Sequence, residues 1–295
     1  MEAPLSQELA ALFAKRFIQR RDIKAVQFKD GAWSPDRELR NLNGYAPLGF
    51  KMPHLLDHIA GKRTYGHYLL DQNDLCRVFV FDIDLKPMTW EDREKTKIKW
   101  SGNWVELPEL SGEPMTEADI ADKIVVHEGI SPRDLWHDRT AQKARGWYKY
   151  QMRMLAQKFI KVIVEELNIG CATAYSGSKG VHVYGFCGEM PAKEAREGAA
   201  LVLDILDEFE PERGNNFFTH RNDDPIQGFQ NFSIEVFPKQ DSLKDKDLGN
   251  LVRLPLGRNL KSADPTFFLD LGTPLSVLAP HGNPVQLLET GNPYL

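Results

Sequence analysis

The run Phe79-Val80-Phe81-Asp82-Ile83-Asp84 constrains this chain more than any other segment. Its apolar start reads as a strand, and the alternation breaks where two carboxylates arrive. Side chains two apart on a strand share a face, so Asp82 and Asp84 are expected to project together from the end of the sheet. Two like charges held there repel and need a cation, and oxygen ligands of this kind suit Mg²⁺ or Mn²⁺. A strand that ends in a polar turn explains a lone D-x-D equally well. The pair therefore needs support from elsewhere in the chain.

Two further segments carry unusual chemistry. Ser176-Gly177-Ser178-Lys179-Gly180-Val181-His182 lies between two strand-like runs. Its glycines permit a tight turn whose N–H groups can face an anion, and serine, lysine and histidine add phosphate-directed donors. A basic surface turn, with His182 a satisfied core histidine, is the other reading. Ile234-Glu235-Val236-Phe237 sets one carboxylate inside an apolar strand. That is costly unless the group is paired, protonated or metal-bound, although an edge strand with a solvated face also accounts for it. Lys239, Arg253 and Arg258 are cations near the same element.

Around these segments the spacing predicts a helix carrying Leu9, Leu12, Phe13 and Phe17, a short helix from His54 to Ala60, and a long one from Arg145 to Leu167 ended by Asn168 and Gly170. Strands are expected at Gly66 to Leu70, Cys76 to Phe81, Ala172 to Tyr175, Val181 to Phe186, Ser233 to Phe237 and Asn250 to Leu254, with a helix from Ala192 to Phe209 among them. Lys86 to Asp138 is polar and proline-punctuated, and reads as an insertion with one short helix near Thr116 to Ile124. Pro211 to Gln230 reads as a loop. Strands and helices interleave without a regular βαβ beat, so the class is α+β with mixed sheets.

Three cysteines without a C-x-x-C pair argue against a disulfide framework and against a structural zinc. No apolar stretch approaches the ~20 residues of a membrane span, and Met1-Glu2-Ala3-Pro4 carries no secretion signal, which points to the cytoplasm. A net charge of -5 gives no global reason to expect nucleic-acid binding, so any such surface is local.

Taken in order, the strand D-x-D, the S-G-x-K-G-x-H loop, and the strand carboxylate followed by F-P-K-Q and R-L-P-L-G resemble the three motifs of the archaeo-eukaryotic primase superfamily. The resemblance runs from about Gly61 to Asp270 and is strongest to phage, plasmid, conflict-system or CRISPR-associated primase-polymerases. It implies a catalytic core of two α/β subdomains, about 1–75 and 76–295 with the insertion at 86–138, the second built on an RRM-like mixed sheet beside a cleft. It implies that Asp82, Asp84 and Glu235 are catalytic and hold two Mg²⁺ or Mn²⁺ ions, and that Ser176, Lys179, His182, Lys239, Arg253 and Arg258 bind the nucleotide. One departure stands out: relatives often place histidine or lysine where this chain has Asn259, with Arg258 the candidate substitute.

The implied activity is DNA-dependent primase-polymerase chemistry. An acidic triad beside a cationic triphosphate pocket suits two-metal nucleotidyl transfer from NTPs or dNTPs on a single-stranded DNA template, initiating chains as well as extending a primer. A separate helicase would supply unwound template. The stretch from Arg139 to Lys161 gathers seven basic residues without an acid, interleaved with Trp147, Tyr148 and Tyr150. Lys143, Arg145, Trp147, Lys149 and Arg153 there either track DNA and stack on bases or form a solvated helix whose aromatics face the core. Lys95, Lys97, Lys99 and Trp100 are a second such candidate. The rival readings are a primer-dependent gap-filling polymerase of the same fold, a D-x-D glycosyltransferase, and a silent nucleic-acid-binding protein.

Overall fold

The computed structural model describes residues 3–39, 45–86, 97–101, 124–128, 130–221, 231–244, 246–273 and 277–294. Helix α1 (Ala3–Phe17) buries Leu9, Phe13 and Phe17 completely. Strands β1 (Ala25–Gln27) and β2 (Trp33–Pro35), helix α2 (Met52–Ile59) and strand β3 (Tyr65–Tyr68) follow, and then β4 (Phe79–Leu85). Beyond the insertion come α3 (Pro132–His137) and α4 (Gln142–Lys161), which continues as a π turn over Val162–Glu166. Next are β5 (Gly170–Tyr175), β6 (Gly180–Phe186) and α5 (Ala192–Leu206). The chain ends with β7 (Phe209–Arg213), β8 (Phe217–His220), β9 (Phe232–Phe237), β10 (Leu251–Arg253), β11 (Phe267–Phe268) and α6 (Pro284–Thr290).

A seven-stranded sheet runs β7-β8-β9-β4-β6-β5-β11, and a four-stranded sheet runs β10-β3-β1-β2. The α+β class stands, but the expected mixed sheets do not: every described strand pair is antiparallel. Strand β10 comes from the far C-terminal part of the chain, yet it completes the N-terminal sheet by pairing with β3. No helix among the described residues is long and apolar enough to cross a membrane.

Strand β4 explains the arrangement. Its odd residues Phe79, Phe81, Ile83 and Leu85 share a core with α4 and α5, where the Phe81 and Phe159 ring centroids lie 4.6 Å apart. On the other face Val80 joins Phe13, Phe17, Leu55, Tyr184 and Leu287 in a second core roofed by α1, α2 and α6. This roof stops short of the strand's second half, where Asp82 and Asp84 follow Val80 on the same face. Arg16 secures α1 to α6 by donating to the carbonyls of Leu288 and Glu289, each at 2.7 Å, where helix C-terminal oxygens lack partners.

Several expectations need correction. Asp82 and Asp84 lie within β4, flanked by strands on both sides, rather than past its end. The expected Pro211–Gln230 loop is partly a hairpin of β7 and β8, because Gly214, Asn215 and Asn216 are only its turn; residues 222–230 lie outside the described residues. Helix α5 stops at Leu206, since Asp207 takes a left-handed conformation (φ 47°) and Phe209 opens a strand. Asn168 (φ 50°) closes the α4 segment, whereas Gly170 already belongs to β5, with Gly291 backbone against it. In the insertion, Lys97–Ser101 pairs with Ile124–Glu128; residues 116–123 of the expected helix lie outside the described residues, as does Lys95.

Candidate active site

Sheet register gathers the acids. In the β9-β4-β6 triplet, Asp82 stands opposite Glu235 on one side and opposite His182 on the other. Directly opposed residues in antiparallel strands share a face, so Glu235, Asp82 and His182 form a row across three strands. One step along, Asp84 lies between Ser233 and Gly180. A Cβ at Gly180 would stand 2.3 Å from Asp84 Oδ1 and 2.1 Å from the Ile83 carbonyl, so the glycine gives the carboxylate its room.

Charge is distributed unevenly along this face. His182 Nε2 lies 3.2 Å from Asp82 Oδ1, and its Nδ1 lies 2.9 Å from the Tyr184 hydroxyl. Lys179 donates to Asp84, and Lys239 pairs with Glu235 while sitting 4.8 Å and 4.7 Å from the Phe217 and Phe237 ring centroids. Burial and then the neighbouring Asp82 charge push the Asp84 carboxyl above its ordinary value. Burial acts on Asp82 in the same direction, but His182, Lys179 and Arg253 together outweigh it and hold Asp82 below the usual range.

The residues fit a divalent cation by donor type: hard carboxylate oxygens on adjacent rows of one face. Asp82 Oδ1 is buried and makes no aligned hydrogen bond among the described residues, because the 3.2 Å approach of His182 lies outside hydrogen-bond geometry. Among the described residues no three His, Cys, Asp or Glu side chains converge on one point, since Asp84 and Glu235 turn to their lysines. Metal binding would require those lysines to give way.

The row floors a cavity of about 720 Å³ between the two sheets. Asp82, Asp84, Glu235 and Asp264 line it against Arg133, Arg139, Arg145, Lys179, Lys239, Arg253 and Lys261. A chain of net charge -5 thus surrounds its acids with a cationic wall, as an anionic ligand bearing cations requires. Burial lowers the pKa of Arg253, whose guanidinium donates to the Ser176 carbonyl. The Ser176 hydroxyl is itself buried and unpartnered.

Asp82, Asp84, Glu235, Ser176, Lys179, His182, Lys239 and Arg253 therefore meet in one cavity, as the sequence motifs imply. Arg258 does not. Its side chain is exposed outside the lining, and Asn259 instead turns inward, donating to the Ser176 carbonyl at 3.3 Å. In helix α4 the aromatics face the core, the second of the two readings its sequence allows. Trp147 is buried and stacks on Tyr150 at 5.4 Å, so it cannot take a base. Arg153 is wholly buried, donating to the carbonyls of Asp270, Leu271, Thr273 and Val277, so it cannot reach a phosphate. Lys143 is exposed and Lys149 half-buried, both outside the cavity, while Arg145 lines it.

The motifs gave no notice of Arg133, Trp136 and His137, which close the cavity from α3, whereas Arg139 in the turn after it belongs to the basic stretch already singled out. A signal was present. Ser131-Pro132 is a helix start, and the Ser131 hydroxyl accepts from Asp134 N at 3.0 Å.

Among curated proteins none matches this chain. The polymerase domain of Mycobacterium tuberculosis ligase D, solved in complex with DNA, aligns with 98% of this chain and 88% of its own, at 10% identity and a TM-score of 0.41. The family profile for the archaeo-eukaryotic primase domain of the TOTE conflict system matches residues 8–278. With the motif residues gathered in one cavity and that profile spanning most of its length, the chain belongs to the archaeo-eukaryotic primase domain family of TOTE conflict systems.

Proposed function

We propose that this primase/polymerase-type nucleotidyltransferase domain joins NTPs or dNTPs on a single-stranded DNA template, starting chains as well as extending primers. The observation that carries the reading is the row of Glu235, Asp82 and His182, with Asp84 one step away, at the floor of a cavity walled by cations. We assign the metal-holding role to Asp82, Asp84 and Glu235. Divalent cations bound there would make the attacking 3′-hydroxyl more acidic and offset charge on the departing pyrophosphate.

The chain's own side chains do the rest. Lys179, Arg253 and the unpartnered Ser176 hydroxyl hold the triphosphate, the two cations as charge-assisted donors. Tyr184 fixes the ring of His182 from behind, so that its Nε2 edge faces Asp82. Arg133, Arg139 and Arg145 present further positive charge to phosphates on the opposite wall. The division into parts at about 1–75 and 76–295, and supply of unwound template by a separate helicase, belong to the same proposal. A glycosyltransferase finds no support, because a D-x-D alone would leave Glu235 and the glycine loop without a task.

The test is incubation of the protein with a primer-free single-stranded template, labelled nucleotides and Mg²⁺ or Mn²⁺, with product lengths resolved. Template-complementary products are expected. Products only when a primer is supplied would reduce the reading to extension, and nucleotide binding without any product would make the domain a silent one.

A further inference from the structure

The loop that carries Ser176 and Lys179 is held by side chains from outside it. Ser176 N donates to the Gly180 carbonyl at 3.0 Å and closes the loop at its base. Each of the three carbonyls at 176, 177 and 178 then accepts from a side chain. Arg253 and Asn259 donate to the first, Ser262 to the second, and Trp136 and Tyr175 to the third. Gly177 sits at φ 70°, and a Cβ there would meet Thr266 Cγ2 at 2.7 Å and Asn259 Cβ at 3.0 Å, so the loop is also enclosed sterically.

Trp136 is the most informative of these donors. It comes from α3, outside the three sequence motifs, and is almost wholly buried. Its indole N–H bonds the Ser178 carbonyl, Arg145 lies 5.0 Å over its ring, and Arg145 Nη1 donates to the Trp136 carbonyl at 3.0 Å. A tryptophan wedged this way transmits the position of α3 to the loop. Asn259 does the same from the other side, and its own loop is locked by Asn259 N to Asp264 O at 2.9 Å and Ala263 N to Asn259 O at 2.8 Å.

We propose that Trp136 and Asn259 are positioning residues for the nucleotide: by fixing the carbonyls of Ser178 and Ser176 they set the loop shape that presents the Ser176 hydroxyl and the Lys179 ammonium to the triphosphate. This inference rests on the proposed function, and it explains why an amide stands at 259. An amide can donate to a carbonyl at any pH and adds no charge beside Arg253. Substitution acts on nucleotide affinity rather than on the chemical step, since neither residue touches the Glu235-Asp82-His182 row.

The experiment compares wild type with Trp136→Phe, Tyr175→Phe, the double variant, and Asn259→Asp and Asn259→Gln. Nucleotide affinity is measured by direct titration with a non-hydrolysable triphosphate and Mg²⁺, alongside single-stranded DNA affinity, kcat and KM. Loss of one neutral hydrogen bond corresponds to roughly a two- to tenfold weaker nucleotide. Each phenylalanine variant is expected in that range with kcat within twofold and DNA affinity unchanged. The double variant should lose more than the product of the single losses, because the Ser178 carbonyl then has no donor. Asn259→Asp should weaken binding more than Asn259→Gln, which keeps the donor.

The indole gives an independent readout: nucleotide should change tryptophan emission in wild type, and that change should shrink in Trp136→Phe. Nucleotide affinities within twofold of wild type in both Trp136→Phe and Asn259→Asp would overturn the proposal. So would equal losses for nucleotide and DNA, or a lowered melting temperature with unaltered nucleotide affinity. Failure of the wild type itself to bind nucleotide would instead overturn the function on which the proposal rests.

Discussion

The β9-β4-β6 face and helix α4 both collect charged residues that stand out in the sequence, and the fold treats them oppositely. Asp82 and Glu235 are separated by about half of the chain, yet antiparallel register places them directly opposite each other. The basic residues of α4 are neighbours in sequence, yet helical geometry sends them to different faces. Arg145 reaches the cavity, Lys143 reaches solvent, and Arg153 is sealed in the core. Proximity along a helix disperses side chains through 100° steps, whereas a strand register concentrates them. Clustering in sequence is therefore poorer evidence for a shared site than a matched pair of strand positions.

The largest expected effect tests the concentrated side. If the carboxylates hold the metals as proposed, several kcal/mol of transition-state charge stabilisation depend on them, so Asp82→Asn and Glu235→Gln should each reduce nucleotide incorporation on the order of a thousandfold. Circular dichroism should show both variants folded. Incorporation within tenfold of wild type in either would mean that register brought the acids together without a catalytic purpose.

The dispersed side predicts a stability effect. Arg153→Met keeps an apolar stem but strips the donor from the carbonyls of Asp270, Leu271, Thr273 and Val277. Val277 is exposed and the Asp270 carbonyl keeps the Thr273 hydroxyl as a donor, so the loss falls on the Leu271 and Thr273 carbonyls, and about 1–3 kcal/mol is expected in urea unfolding. A stable variant with weaker DNA binding would return Arg153 to the template.

The glycines sharpen the comparison further. In Gly180→Ala the new methyl meets both the Ile83 carbonyl and Asp84 Oδ1, while the residue is paired with Asp84 across the sheet. Overpacking of this kind costs about 1–3 kcal/mol, and displacement of Asp84 should lower activity at least tenfold, or about 1.4 kcal/mol of barrier. Gly198, inside α5 with nothing within 4 Å of its would-be Cβ, is the control. There Gly198→Ala should stabilise by about 0.5–1 kcal/mol and leave the rate alone. Equal behaviour of the two variants would mean that room for Asp84 is unimportant.

Much of this was legible from the chain. A strand was readable up to Phe81 from its apolar run, although it continues through both acids to Leu85, and α1 was readable because Leu9, Phe13 and Phe17 repeat with helical spacing. The meeting of Asp82 with Glu235 came from the motif resemblance, since register between strands so distant in sequence depends on the whole sheet rather than on local pattern. The β7-β8 hairpin was hidden because its strands are short and hold Pro211, Glu210 and Thr219 instead of a clean alternation. Trp136 was hidden for a different reason. A six-residue helix inside a polar insertion has too little periodicity to reveal which of its side chains turns inward.

The smallest effect distinguishes residues within α4. Arg145 lines the cavity and rests on Trp136, so Arg145→Gln removes one phosphate-directed charge together with the contact over the indole ring. A few-fold rise in nucleotide KM, about 1 kcal/mol or less, is expected, with no change in the salt dependence of single-stranded DNA binding. Lys143 is exposed and can contact at most one backbone phosphate. Lys143→Gln should therefore reduce the slope of log K against log salt by no more than about 0.7, the value for one phosphate on a single strand. Lys149 is half-buried, and desolvation lowers its pKa, so its charge is a poor candidate for a strand contact. If Lys143→Gln, Arg145→Gln and Lys149→Gln together reduced that slope by about 2, three phosphates would be tracked by one helix, and the contrast between dispersed and concentrated charge would fail.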